Sequence, residues 1–268
     1  MNDRVFRATA GLLALTFGLF LGLPVLALFI RAVVGGALGE ALASPAVLDA
    51  LRLSLLTTAV SLGIAVVFGT PVALLLARRR FRGHALLETL VDLPIVLPPA
   101  VAGLALLFVF GRRGLLGGGL EMLGVVVPFT TLAVVLAQTF VSAPFYIRAA
   151  RSGFVAVERD FEDAARVDGA GDAAVLRHVT VPLAASSLAA GLVLTWARAL
   201  GEFGATIMFA GSIAGRTQTL PLVVYSEFQL DLETSVAAAG VLILAAAAVL
   251  IAVRLLHWRS VLDVRLPG

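Results

Sequence analysis

Long apolar runs broken by short polar segments dominate this chain. A bilayer core takes about 20 apolar residues as helix. Six runs reach that length: 11–33, 53–77, 86–110, 125–147, 183–210 and 235–256. Arg4 and Arg7 precede the first, as in a secretory signal. Its apolar stretch is too long for a signal core, and no small-residue cleavage site closes it, so it reads as a retained helix. The pattern predicts an all-α membrane protein with six transmembrane helices, forming one domain over residues 1–268.

One interruption is unlike the others. Between Arg148 and Val181 the chain is polar for about thirty residues. Phe154, Val157, Phe161 and Ala165 fall on one helical face. Ser152 is placed to cap that helix, and Asp168-Gly169 to stop it, because glycine accepts the left-handed conformation that ends helices. Asp172 can cap a second short helix over 173–179, and Pro182 marks the start of the fifth span. The result is a helix, a glycine corner, a short helix and the membrane. Glu158, Asp160, Glu162 and Asp163 stand near Arg159, Arg166 and Arg177, and mixed charge suits a specific protein contact better than anionic lipid. On patterning alone, a solvated amphipathic loop on the membrane surface fits equally well.

Composition narrows the class. Hydrophobic residues make up 60% of the chain and charged residues 14%, against about a quarter charged in a globular domain. With a mean hydropathy of +1.03, this leaves no room for a separate soluble enzyme domain. All 20 basic residues are arginine. Without lysine the chain has neither a P-loop nor a Schiff-base nucleophile, so any ATP that drives it is hydrolysed by another subunit. With no cysteine there are no disulfides or thiolate metal sites. The pI of 10.4 reflects arginines at a membrane surface, because no basic stripe on a soluble face exists to bind nucleic acid.

The arginines also set orientation. With a cytoplasmic N-terminus, the inner segments hold Arg4, Arg7, Arg78, Arg79, Arg80, Arg82, Arg148, Arg151, Arg159, Arg166, Arg177, Arg254, Arg259 and Arg265. Arg31, Arg52, Arg112, Arg113 and Arg216 fall outside, and Arg198 inside a span. The Arg112-Arg113 pair runs against the rule; the remainder places both termini inside and the polar loop with them.

The loop resembles the motif by which permeases of ABC importers engage their ATPase: Glu-Ala-Ala, three residues, Gly, nine residues, Ile-x-Leu-Pro. Here the chain has Asp163-Ala164-Ala165, Gly169, then Val179-Thr180-Val181-Pro182. Every spacing matches; Asp stands for Glu and Val twice for a larger aliphatic. Glu162 sits beside the shorter Asp163, and either carboxylate can make the contact. Further on, Ala199-Leu200-Gly201-Glu202-Phe203-Gly204-Ala205-Thr206, Phe209-Ala210-Gly211 and Gly215-Arg216-Thr217-Gln218-Thr219-Leu220-Pro221 resemble molybdate/tungstate permease subunits, as does the proline-rich stretch from Asp92 to Gly103. Sulfate/thiosulfate permeases share a looser version.

The resemblance implies a coupling loop with Glu158, Phe161, Glu162, Asp163, Ala164, Ala165, Gly169, Asp172 and Pro182 as its docking residues. It implies a partner ATP-binding subunit that holds ATP and Mg, an extracytoplasmic oxyanion-binding protein and a second copy of the chain. This chain itself needs no cofactor and is not an enzyme, and it lies in the plasma or inner membrane.

For the pathway the sequence offers Arg198, Glu202, Gly204, Arg216 and Thr217. Arg198 and Glu202 lie four apart on one helix face. Intramembrane charges either hold helices together or face a water-filled route, and both readings stand. Pro94, Pro98 and Pro99 open the third span, and the carbonyls they free are satisfied by protein or water. This predicts either a kinked helix or a stretch facing the pathway. His84, His178 and His257 lack metal-ligand spacing and read as interfacial residues. An ion-coupled carrier would need acidic relays within the membrane, for which only Glu202 and Asp92 stand.

Overall fold

The computed structural model describes residues 3–263, with side chains described for 6–7 and 9–251. Arg265 lies outside the described residues, as do the side chains of Arg4, Arg254, His257 and Arg259. The regular structure among the described residues is helical: α1 (Asp3–Val34), α2 (Ala37–Ala43), α3 (Pro45–Arg78), α4 (His84–Val96), α5 (Pro99–Phe110), α6 (Gly117–Met122), α7 (Thr131–Ala156), α8 (Arg159–Val167), α9 (Asp172–Val175), α10 (Val181–Leu183), α11 (Ala185–Leu200), α12 (Gly204–Ala210), α13 (Leu220–Leu230) and α14 (Leu232–Asp263). A π-helical turn, Leu176–Thr180, joins α9 to α10.

Among the described residues, four helices are long and apolar enough to cross a membrane: 9–34 within α1, α3, α7, and 232–251 within α14. The other two expected spans are broken. α4 and α5 meet at 120°, and the α9–α10 segment meets α11 at 76°. Counting each bent pair as one span gives six. Pro94 lies inside α4, and the first break falls at Leu97-Pro98, where Pro98 is extended and Pro99 starts the next helix. Proline at a first helical position loses no bond, because that N–H has no partner in the helix anyway.

The fourth span is shifted relative to its hydropathy run. α7 covers 131–156 and not 125–147. Thr130 ends the connection by accepting from the Ala133 amide, at 3.3 Å, and apolar Val127 is buried in that connection. At the other end α7 runs past Ser152 to Ala156, because Phe154 is fully buried against neighbouring helices. Ser152 is therefore an exposed mid-helix residue and caps nothing.

α7 is the central post of the bundle. Its first half packs with α5 and α12 through Ala102, Leu106, Val134 and Phe209. Its second half packs with α3 and α11 through Ala73, Tyr146, Ala150 and Phe154. A third core joins α2, the start of α3, α13 and α14. Buried hydroxyls tie α3 across: Ser61 Oγ donates to the Val135 carbonyl at 3.0 Å, and Thr70 Oγ1 lies 2.8 Å from Tyr146 Oη. Such contacts hold helices together where apolar burial gives no drive between them. α1 differs: its most apolar window has no buried residue.

Candidate functional site

The polar loop folds into a knob beyond one end of α3 and α7. Val157 ends α7, and the exposed Glu158 precedes α8 without a side-chain capping bond. α8 is strongly amphipathic in sequence, yet Phe161 and Val167 point outward, 54% and 87% exposed. Asp163 and Ala164 are exposed beside them, and Ala165 is half-buried. Gly169 takes φ 91°, and its neighbours close the helix: Gly169 N donates to Arg166 O and Ala170 N to Ala165 O, both at 3.0 Å. A side chain would be strained there, as the glycine stop anticipated.

The second arm corrects the expected capping. Gly171, not Asp172, occupies the cap position of α9, and no side chain caps it. Asp172 instead accepts from Arg166 Nε at 3.4 Å, while Arg166 Nη1 donates to Asp163 at 2.8 Å. The two carboxylates, Asp163 first, hold the exposed Arg166 guanidinium above its ordinary pKa. Pro182 is exposed in α10 and falls one residue before the bend into α11.

The adjacent carboxylates part company. Asp163 faces outward, 68% exposed. Glu162 is buried, and its Oε1 accepts from Arg78 Nη2 and from Thr180 Oγ1, each at 2.7 Å. Arg78 also donates to the Val157 carbonyl at 3.3 and 3.2 Å. A cavity of about 510 Å³ opens beside this cluster, lined by Arg78, Arg79, Arg159, Asp163 and Asp172 among others. Sequence reasoning missed Arg78 and Thr180. Arg78 figured only as a topogenic charge, and Thr180 fills a position the motif leaves open; a bond spanning 84 residues leaves no local signal.

The second candidate region lies where the two broken spans meet. α11 stops at Leu200, so Glu202 sits in the break and not within one continuous fifth-span helix. Its carboxylate is buried. Oε2 lies 2.5 Å from Arg198 Nη1, and Oε1 accepts from the Ala205 amide at 2.7 Å, capping α12. The pair thus has a structural function; Arg198, with its side chain 28% exposed, retains donors that Glu202 does not occupy. Gly204 presses on the other break: a Cβ there would lie 2.7 Å from Pro99 Cβ. Gly103 meets Ala205 and Met208 in the same contact. Nearby on α4, Asp92 pairs with Arg148 Nε at 3.2 Å.

Thr217 and Arg216 separate. The Thr217 hydroxyl is buried, accepting from Ile213 N at 2.9 Å and donating to Gly211 O at 3.3 Å. It fastens the 211–217 turn and is not open to a solute. Arg216 is exposed and, with Arg112, lines a cavity of about 510 Å³ floored by Leu107, Val126 and Phe129. Thr131, at the end of α7 away from the knob, donates to the Arg216 carbonyl at 2.9 Å. His84 and His178 donate ring N–H groups to the carbonyls of Leu76 and Ala174, at 3.1 and 3.0 Å. Among the described residues no cluster of three or more His, Asp or Glu could hold a metal.

Known proteins are similar to this chain in sequence and in fold. Residues 69–261 match the family described as binding-protein-dependent transport system inner membrane component. The chain is 43% identical over 234 residues to the molybdenum transport system permease protein ModB of Mycobacterium tuberculosis, covering 87% of this chain and 88% of that one. It is 37% identical over 235 residues to the sulfate transport system permease protein CysW of Synechococcus elongatus, covering 86% and 82%. In fold it matches a chain of a bacterial ABC transporter that imports the acidic polysaccharide alginate, with a TM-score of 0.70, 17% identity and 96% of each chain covered.

Proposed function

Because the chain belongs to the family of binding-protein-dependent transport system inner membrane components, and is therefore a multi-pass permease subunit of an ABC importer and not itself an enzyme, we propose that its cargo is molybdate, with tungstate as a near-isosteric alternative. The 43% identity to a molybdenum permease over most of both chains carries this reading. The likeness to a sulfate permease at 37% makes sulfate the second reading.

In this reading both termini lie in the cytoplasm, and the α8 knob docks into the partner ATPase. Phe161, Asp163, Ala164 and Val167 form the contact face, because these exposed residues of α8 combine apolar area with a carboxylate. ATP and Mg would be held by that partner. Two copies of the chain enclose the route, and the bare apolar face of α1 supports a second copy or lipid as its cover. A loaded binding protein docks on the opposite face, where Arg112 and Arg216 stand around an apolar floor. Cations at a mouth raise the local concentration of an anion and steer an acidic partner. Within the membrane, Arg198 supplies a guanidinium that fits a tetrahedral dianion, and Glu202 moderates it so that the anion is not trapped.

Uptake of radiolabelled molybdate into proteoliposomes holding the permease, its ATPase and its binding protein tests this. Uptake is expected to require ATP and to resist a large excess of sulfate. Efficient competition by sulfate shifts the assignment to the second reading, and uptake without the ATPase overturns the coupling mechanism.

A further inference from the structure

The coupling helix is attached in an unusual way. Of the residues in α8, only Glu162 is buried; no apolar side chain of this helix reaches a core. A helix so short gains little stability from its own backbone. Its one buried anchor is therefore a carboxylate; the other ties of α8, from Arg159 and Arg166, lie at the exposed surface. That carboxylate binds at once to Arg78, the last residue of α3, and to Thr180, the last residue of the π-helical turn. Arg78 simultaneously grips the Val157 carbonyl, and Arg159 Nη2 donates back to the Arg78 carbonyl at 3.4 Å. Four chain segments meet on one ion pair.

We propose that Glu162 is a positioning residue for coupling: it clamps α8 to α3 and to the π turn together, so that displacement of α8 by the ATPase moves α3 and α11 as one. The proposal rests on reading α8 as the ATPase-docking helix. The two neighbouring carboxylates then divide the work. Asp163 presents itself to the partner, and Glu162 carries the motion inward. The ion pair suits this role because its geometry is directional: an apolar contact can slide, whereas a buried carboxylate with two donors at 2.7 Å fixes the helix in both position and rotation. The π turn bearing Thr180 leads through the 76° bend into α11, whose far end holds Arg198 and the Glu202 break. A path of bonded or helical elements thus runs from the knob to the meeting point of the broken spans.

The test uses the complete complex in proteoliposomes, with anion imported per ATP hydrolysed as the first readout. Glu162→Gln keeps the shape but removes the charge. ATP turnover is expected to continue while the transport ratio falls on the order of fivefold, the scale at which single residues modulate coupling. The reversed pair Arg78→Glu with Glu162→Arg is expected to recover at least half of the ratio. Asp163→Asn is expected instead to weaken binding of the ATPase while the distance between the end of α3 and α8 stays narrowly distributed. The second readout needs no substrate: spin labels at Arg80→Cys and Val167→Cys report the distance between the end of α3 and α8. A single narrow distribution is expected, broadened by Glu162→Gln and restored by the reversed pair. If Glu162→Gln leaves both the ratio and the distance distribution unchanged, the clamp is refuted. It is equally refuted if Glu162→Gln weakens ATPase binding as Asp163→Asn does and leaves the distances narrow. A wild-type complex that imports no molybdate but shows the broadening in Glu162→Gln refutes the cargo and upholds the clamp.

Discussion

Single side chains divide here by whether their polar atoms are already in use. Glu202 spends both oxygens, one on Arg198 and one on the α12 amide. Glu202→Ala is expected to lower stability by about 3 kcal/mol, the scale for breaking a buried pair and stranding its partner, read as a lowered melting temperature in detergent. Glu202→Gln preserves an acceptor for α12 while freeing the Arg198 charge. Uptake is then expected to show a lower KM with a lower maximal rate, because a stronger anion site releases more slowly; an unchanged KM would leave the pair with only its structural function. Outside the spans, the Asp231 carboxyl is held below the usual range by the Thr234 hydroxyl and by the amides of Glu233 and Thr234, at the start of α14. A depressed folded pKa stabilises above the ordinary carboxylate range and loses its effect as pH falls through the lowered value. Protection of the 233 and 234 amides, measured as exchange relative to the intrinsic rate at the same pH, is therefore expected to fall only in acid, and Asp231→Ala to show the lowered protection at neutral pH as well.

At the scale of elements, each apolar run overlaps one of the four long helices or one of the two bent pairs, but the runs do not mark the breaks. Hydropathy measures transfer from water, and it scores an apolar connection such as the one around Val127 like a helix, which is why α7 begins six residues and ends nine residues beyond its run. The prolines of the third span did announce a break, because a missing N–H is a local property. The break after Leu200 carried no such mark; it arises from packing, with Gly204 against Pro99. The glycine corner of the coupling loop was legible for the same reason as the prolines, since a positive φ is a property of one residue. The Glu162 clamp was not, because its two partners, Arg78 and Thr180, lie 102 residues apart. Two substitutions separate these cases. Gly204→Val drives a branched side chain into Pro99 and is expected to cost about 1–3 kcal/mol and to abolish uptake, with helical content by circular dichroism preserved. Gly169→Pro removes the amide that closes α8 onto Arg166 and is expected to abolish uptake while all six spans still insert.

For the molecule as a whole, the question is which face meets which partner. The arginine distribution and the coupling motif point the same way from independent physics. The first concerns the work of translocating charge, the second the side on which ATP is found. The structure adds that the knob and the Arg112–Arg216 cavity lie toward opposite ends of α7: Val157 follows its last residue, and Thr131, its first, bonds to Arg216. If the knob faces the ATPase, the arginine-lined cavity faces away from it. Because the chain has no cysteine, single cysteines can map this directly without prior removal of native thiols. In intact cells, a membrane-impermeant maleimide is expected to label Arg216→Cys and to spare Val167→Cys; in inverted vesicles the pattern reverses. Labelling of both from one side would mean that the two regions share a compartment, and the α7 post would not span the membrane. Labelling in the inverse sense would place the arginine-rich ends outside, and the ATPase could not reach α8. Only the expected pattern puts an anion-attracting mouth outside and a clamped, partner-facing helix inside, the polarity that import demands.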